Sequence, residues 1–251
     1  IDLAIVPNNM NRSLVVAGFT AIDDASSLVN DILKLAPAAV EMVDRHLLDF
    51  IDLHYPNQLK GLLEPPFPEI LLLIEFDDLG GSVQQKKVKK LLKILGRVTQ
   101  DYQVTTDYDE RDELWKIRHS AAAVIAHSEG TKKALPIIED GIVPQENFTK
   151  FIHGIYALFK KYNLDVAVWG HAGNANVHLQ PFLDLSSVGD RQKVFKIMDE
   201  YYDMVLQLGG STAAEHNDGR LRAPYLPQLY GPEMYKIFEA TKKIFDPHGI
   251  L

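Results

Sequence analysis

The segment Val168-Trp169-Gly170-His171-Ala172-Gly173-Asn174-Ala175-Asn176-Val177-His178-Leu179-Gln180 sets two histidines on either side of a glycine- and asparagine-rich centre. Read as a hairpin turning between Asn174 and Ala175, it pairs Gly173 with Asn176, Ala172 with Val177 and His171 with His178. Directly opposed residues share a sheet face, with Cβ atoms about 4.5–5.5 Å apart. Two imidazoles so placed reach one divalent ion. The same pattern also suits hydrogen-bonded histidines on a polar sheet face, so the segment alone leaves both readings open.

A second segment, Ser211-Thr212-Ala213-Ala214-Glu215-His216-Asn217-Asp218-Gly219-Arg220, follows a Gly209-Gly210 stop. On extended backbone the adjacent Glu215 and His216 point to opposite sides, so one can ligate a metal while the other serves a substrate as base. Two histidines and one carboxylate leave metal positions open for substrate or water. The plainer reading has Glu215 capping locally or pairing with Arg220 or Arg222. Other chemistries lack their motifs. Gly80-Gly81-Ser82 has no following Lys-Ser/Thr for a P-loop. Neither G-x-S-x-G nor G-x-G-x-x-G occurs, which leaves a serine nucleophile elbow and a Rossmann fingerprint unsupported.

The elements that must carry these residues alternate between extended and amphipathic segments. Residues 13–19 and 69–75 read as strands, and Asp23-Asp24 open a helix at its positive end. Ser82 is placed to cap a helix with Val88, Leu91, Leu92 and Leu95 on one face. Lys86, Lys87, Lys89, Lys90 and Lys93 occupy the rest, as a solvated face or a docking surface for anionic lipid or a partner. A strand at 103–106 and a helix at 110–126 with Trp115 and Arg118 come next. A second round from Ile137 has a helix with Phe148, Phe151, Ile152, Ile155 and Phe159 in a stripe, then strands at 165–171 and 176–182. Helices at 191–208 and 233–244 close it. The hairpin near residue 174 is incompatible with a purely parallel sheet. The expected fold is α+β, with helices on one face of a mostly antiparallel sheet.

The chain has 251 residues, of which 26 are basic and 34 acidic, for a formal net charge of −8. That balance argues against a nucleic-acid surface. Without cysteine the segment holds no disulfide, thiolate zinc site or iron–sulfur cluster. No apolar run approaches the ~20 residues of a transmembrane helix. The opening residue, Ile1, suggests a fragment of a longer protein.

Together the motifs resemble the C-terminal (cap) domain of the FAD-linked oxidase family. Residues 170–178 resemble its G-H-x-G-D-G-N-x-H motif, and residues 215–233, opening on Glu215-His216, resemble its E-H-G-x-G segment with the run after it. Phe245-Asp246-Pro247-His248-Gly249-Ile250-Leu251 resembles F-D-P-x-x-x-L. Glu41-Met42-Val43-Asp44, Leu114-Trp115-Lys116-Ile117-Arg118 and Glu139-Asp140-Gly141-Ile142-Val143-Pro144 fit as well. The resemblance spans residues 1–251 as one domain and is strongest to D-lactate-dehydrogenase-like, glycolate-oxidase-like and hydroxyglutarate-dehydrogenase-like members.

The resemblance implies a duplicated ferredoxin-like arrangement, with halves of roughly 1–135 and 136–251, covering an FAD held by an absent N-terminal domain. It implies a divalent metal (zinc, iron or manganese) on His171, His178 and Glu215, and His216 as general base. Arg118, Gln180 and Asn176 are the implied substrate contacts, and oxidation of a 2-hydroxy acid is the implied reaction. The isolated chain is expected to be inactive. Expected partners are the FAD-binding domain and an iron–sulfur domain or subunit. The expected location is the cytoplasm, including the inner face of a membrane. A flavin-independent metal hydrolase or lyase, or a non-catalytic relic of the fold, are the rivals. Asn174-Ala175 replace the family's Asp-Gly, and Asn217 replaces a Gly. Ala122 and Ile138 stand where hydroxyglutarate enzymes carry Thr and Lys. Ala175 and Asn217 fill space near the approach to the flavin, whereas Ala122 and Ile138 favour a monocarboxylate such as D-lactate over a diacid, unless Lys132 or Lys133 substitutes.

Overall fold

A computed structural model describes residues 2–119, 121, 125 and 130–251. Seven strands form its sheet: β1 (Ser13–Phe19), β2 (Ala39–Asp44), β3 (Ile70–Phe76), β4 (Tyr102–Thr105), β5 (Lys132–Ala134), β6 (Val166–His171) and β7 (Asn176–Asp184). They lie in the order β4-β1-β3-β2-β6-β7-β5, with every pairing antiparallel.

Along β1 and β3 every residue is buried. The period of two reappears in what the side chains touch. Val15, Ala17, Ile70, Leu72 and Ile74 enter one core, while Leu14, Val16, Leu71 and Leu73 enter a second core across the sheet. Helices α1 (Ile22–Leu33), α3 (Gly81–Leu95), α5 (Phe148–Lys161) and α6 (Val188–Gln207) cover the first face. Helices α2 (Arg45–His54) and α4 (Tyr108–His119) cover the second. The expectation of helices on one face is therefore corrected. A strand as uniformly apolar as β3 needs cover on both sides, because either face left in water would forfeit about 25 cal/mol per Å² of apolar surface.

The first half runs β1-α1-β2, then β3-α3-β4, in the order β4-β1-β3-β2, a β-α-β-β-α-β unit into which α2 is inserted. The rest of the chain supplies β5, β6 and β7 with α5 and α6, β5 lying just before the expected boundary at 136. Where a fourth strand would lie, Ser211 makes a single bridge to Ile142. Pairing of β2 with β6 joins the halves into one sheet. The short helix α7 (Gly219–Arg222) and the segment α8 (Leu226–Phe245), two helices joined across a kink at Gly231 (φ 80°), complete the chain.

One further expectation changes, and two elements were not anticipated. Gly80, not Ser82, is the N-cap of α3, although Leu91 and Leu95 are buried and Lys86, Lys89, Lys90 and Lys93 are exposed, as their spacing predicts. The strand β2 and the helix α2 are not announced by periodicity. Glu41 and Asp44 interrupt the apolar pattern of β2, and Asp44 ends it by accepting the Leu47 N–H at the start of α2.

Candidate active site

The β6–β7 hairpin is shifted by two residues from the expected register. His171 pairs with Asn176, Gly170 with Val177 and Trp169 with His178. A four-residue loop, 172–175, makes the turn, and Ala175 closes it in the left-handed conformation at φ 52°. A shift of two preserves the face on which each side chain stands. His171 and His178 are thus diagonal neighbours instead of opposed ones, with ring centroids 5.4 Å apart and planes at 90°. Gly170 permits the close approach of the strands: a Cβ there would lie 2.7 Å from the Asn176 carbonyl oxygen.

Both imidazoles converge on one carboxylate oxygen. His171 Nε2 and His178 Nε2 each lie 3.0 Å from Glu215 Oε1. His216 Nε2 is 3.6 Å from the same oxygen, and its ring stacks on His178 at 4.6 Å with planes 7° apart. His178 is buried, whereas the Glu215 side chain is 47% exposed and that of His216 37%. The cluster therefore opens to one side. Burial pushes the His178 pKa down, assisted by the neighbouring His216 and Arg118 charges. The Glu41 hydrogen bond raises that of His171.

Glu215 and His216 were expected on opposite sides, but both join the cluster. Here the backbone is not extended; it wraps around the buried Asp140 carboxylate. Asp140 Oδ2 accepts the N–H groups of Ala214 (2.7 Å), Glu215 (3.1 Å) and His216 (3.1 Å). Its Oδ1 accepts from Gly141 N and from Asn176 Nδ2. Burial alone would raise its pKa, but the donors from His216, Ala214, Asn176 and Glu215 outweigh it and leave the carboxyl below its usual range. Glu139 Oε2 lies 3.0 Å from His216 Nδ1. Arg222 donates through Nε to the Asn217 carbonyl at 2.9 Å and lies near Glu139, so it does not pair with Glu215.

Asp140, Glu139 and Glu41 were not singled out as site residues from sequence. Their signal was limited to the resemblance of the short motifs that contain them.

Among the expected substrate contacts, Arg118 reaches the cluster: its Nη2 is 3.5 Å from His171 Nε2 and its Nε donates to Glu41 Oε2 at 2.8 Å. Asn176 is buried beneath it, with its amide nitrogen donating to Asp140 and to the Gly141 carbonyl. Gln180 stands two residues beyond His178 on the same face of β7, buried, its Oε1 without a hydrogen-bond partner among the described residues. Ile138 is fully buried in the core on the opposite face of the sheet. Ala122 lies outside the described residues. Lys132 pairs with Asp165, a residue of the surface beside α2, away from the cluster.

The donor set suits a divalent cation. Two nitrogens within 3.0 Å of one carboxylate oxygen need a proton or a cation between each pair, and one ion shared by His171, His178 and Glu215 satisfies both at once. Nitrogen and oxygen donors without thiolate fit zinc, iron or manganese.

Residues 8–251 match the family described as FAD linked oxidases, C-terminal domain. The glycolate oxidase subunit GlcD of Bacillus subtilis (strain 168) is 28% identical, over 98% of this chain and 51% of its own length. A D-2-hydroxyglutarate dehydrogenase of Haemophilus influenzae is also 28% identical, over 100% of this chain and 25% of its own. A D-lactate dehydrogenase of Archaeoglobus fulgidus is 22% identical, over 99% and 52%. The chain thus spans from a quarter to about half the length of these relatives. Among solved structures, 4-ethylphenol oxidase from Gulosibacter chungangensis superposes with a TM-score of 0.69 at 14% identity, over 98% of this chain and 53% of that one. A p-cresol methylhydroxylase gives 0.65 at 13%, over 96% and 51%. At such identities the likeness is one of fold.

Proposed function

The chain belongs to the C-terminal domain family of FAD-linked oxidases, and on that premise we propose that it is the substrate- and metal-binding cap of a flavin-dependent D-2-hydroxy-acid dehydrogenase. The observation that carries this reading is the meeting of His171, His178 and Glu215 at one point beside Arg118. The names of the relatives, glycolate oxidase, D-2-hydroxyglutarate dehydrogenase and D-lactate dehydrogenase, supply the substrate class. Ile138, committed to the core, offers nothing to a second carboxylate, which favours a D-lactate-like monocarboxylate.

His171 Nε2, His178 Nε2 and Glu215 Oε1 would hold the cation, which supplies Lewis acidity toward the substrate hydroxyl. FAD, bound by a separate flavin-binding domain, is the hydride acceptor in this reading. Arg118 binds the substrate carboxylate through its planar guanidinium. With the Glu139 carboxylate 3.0 Å from its Nδ1, His216 would keep its proton on that nitrogen and take the hydroxyl proton on Nε2 as the hydride leaves the adjacent carbon. Asn176 acts from beneath through Asp140, and Gln180 lines the same strand face beyond His178. Among the described residues no helix is long and apolar enough to cross a membrane.

The test uses zinc and D-lactate on the full chain. One zinc per chain is expected to survive dialysis in the wild type and to be lost in His178→Ala, by elemental analysis. The zinc-loaded chain should bind D-lactate at least tenfold more tightly than propionate, which lacks the hydroxyl. Full zinc occupancy in the variant, or no preference for D-lactate, contradicts the reading.

A further inference from the structure

Glu41 takes no part in the scheme above, yet its side chain is only 10% exposed and each of its oxygens is engaged by a different member of the cluster. Oε1 accepts from His171 Nδ1 at 2.7 Å, and Oε2 accepts from Arg118 Nε at 2.8 Å. The partners come from separate elements. Pairing of Met42 with Gly170 and Val43 with Trp169 carries Glu41 alongside His171, while α4 lays Arg118 over the same face.

We propose that Glu41 is the positioning residue that couples the cation site to the acid-binding site. This rests on the metal and substrate reading given above and deepens it. Donation of Nδ1–H to Glu41 commits His171 to the tautomer whose Nε2 lone pair faces Glu215 and His178. A carboxylate behind a ligating histidine fixes the ring and raises its basicity as a ligand. The guanidinium has five N–H donors. With Nε engaged by Glu41, the Nη1/Nη2 end is the fork presented to a substrate carboxylate. Because Arg118 Nη2 lies 3.5 Å from His171 Nε2, one side chain sets the spacing between the cation and the carboxylate it must accompany.

An amide cannot replace this carboxylate. Glutamine has one accepting oxygen, so its NH2 would confront an N–H of either His171 or Arg118. Glu41→Gln is nearly isosteric and is expected to weaken zinc binding 10- to 100-fold, the usual loss for a removed outer-shell partner. At saturating zinc it is also expected to weaken D-lactate binding at least fivefold. Arg118→Met should lose D-lactate binding while holding zinc within about threefold of wild type, since Glu41 still orients His171. Titration calorimetry of the full chain reads both affinities, and circular dichroism checks the fold.

A second measurement needs no variant. In the zinc-loaded wild type, imidazole 15N resonances should show His171 protonated at Nδ1. Zinc affinity within twofold of wild type in a folded Glu41→Gln, or an Nε2-protonated His171, overturns the proposal and leaves the metal site standing. A wild type that binds no zinc at all removes the functional reading and this inference with it.

Discussion

At the scale of single residues, the cluster depends on a buried carboxylate that shapes the loop carrying Glu215 and His216. Asp140 accepts five hydrogen bonds, three of them from consecutive backbone N–H groups, and is fully buried. Asp140→Asn would turn an NH2 toward donors on one side, leaving buried N–H groups unpaired at about 1–3 kcal/mol each. We expect it to destabilise the chain by at least ~2 kcal/mol in urea unfolding and to weaken zinc binding more than tenfold. A loss below 0.5 kcal/mol (roughly the size of ordinary surface effects) would show that the 214–216 turn holds without it. Glu215 and His216 could be picked out by residue type, because carboxylate and imidazole next to each other are a recognisable donor pair. Asp140 could not, since an aspartate before glycine reads equally well as a turn.

At the scale of elements, the hairpin shows why a wrong register can still bring the same two imidazoles together. The turn centre moved by one residue and the pairing by two, so the parity that selects the sheet face was kept. What changed was the geometry, from opposed to diagonal histidines. The end of α8 carries a pH-dependent feature of its own. Asp246 accepts hydrogen bonds from Ile250 N at 2.9 Å and Leu251 N at 3.1 Å and pairs with Lys242. The Lys242 hydrogen bond, with those amides, holds its pKa down at about 2. A depressed carboxylate contributes in full above its unfolded value and is lost as pH falls through the folded one. The amide resonances of Ile250 and Leu251 should therefore titrate with a midpoint near 2, and in Asp246→Asn that step should vanish. A midpoint near the ordinary carboxylate value would contradict the contact.

At the scale of the whole molecule, stability is unevenly distributed. The sheet is sealed between two helical layers, whereas α8 has no buried residue and exposes Tyr230, Met234, Ile237, Phe238, Ile244 and Phe245. It is tied to α6 through Tyr225, whose OH donates to Asp199 at 2.7 Å, and through Gln228, which donates to Asp203. A helix with so little tertiary packing is marginal in water. Amide exchange in the full chain should leave α8 at least 100-fold less protected than α5, whose Phe148, Phe151, Ile152, Ile155 and Phe159 are buried. Equal protection would mean that α8 is held by more than these contacts.

What the sequence determined alone is whatever depends on neighbours a few residues apart. The strands at β1, β3, β6 and β7 arise from short apolar runs, the buried faces of α3, α5 and α6 from helical period, and the two histidines from a turn between strands. The donor types came from residue identity. Tertiary structure decided the rest: cover on both sides of the sheet, the wrapping of residues 214–216 on Asp140, and the placement of Glu41. Glu41 meets His171 across 130 positions, and Asp140 meets Glu215 across 75. No local period encodes such meetings. They exist because antiparallel pairing of β2 with β6 and closure of a loop on a buried carboxylate bring distant charges into a low-dielectric interior, where each must find a partner or pay the full cost of desolvation.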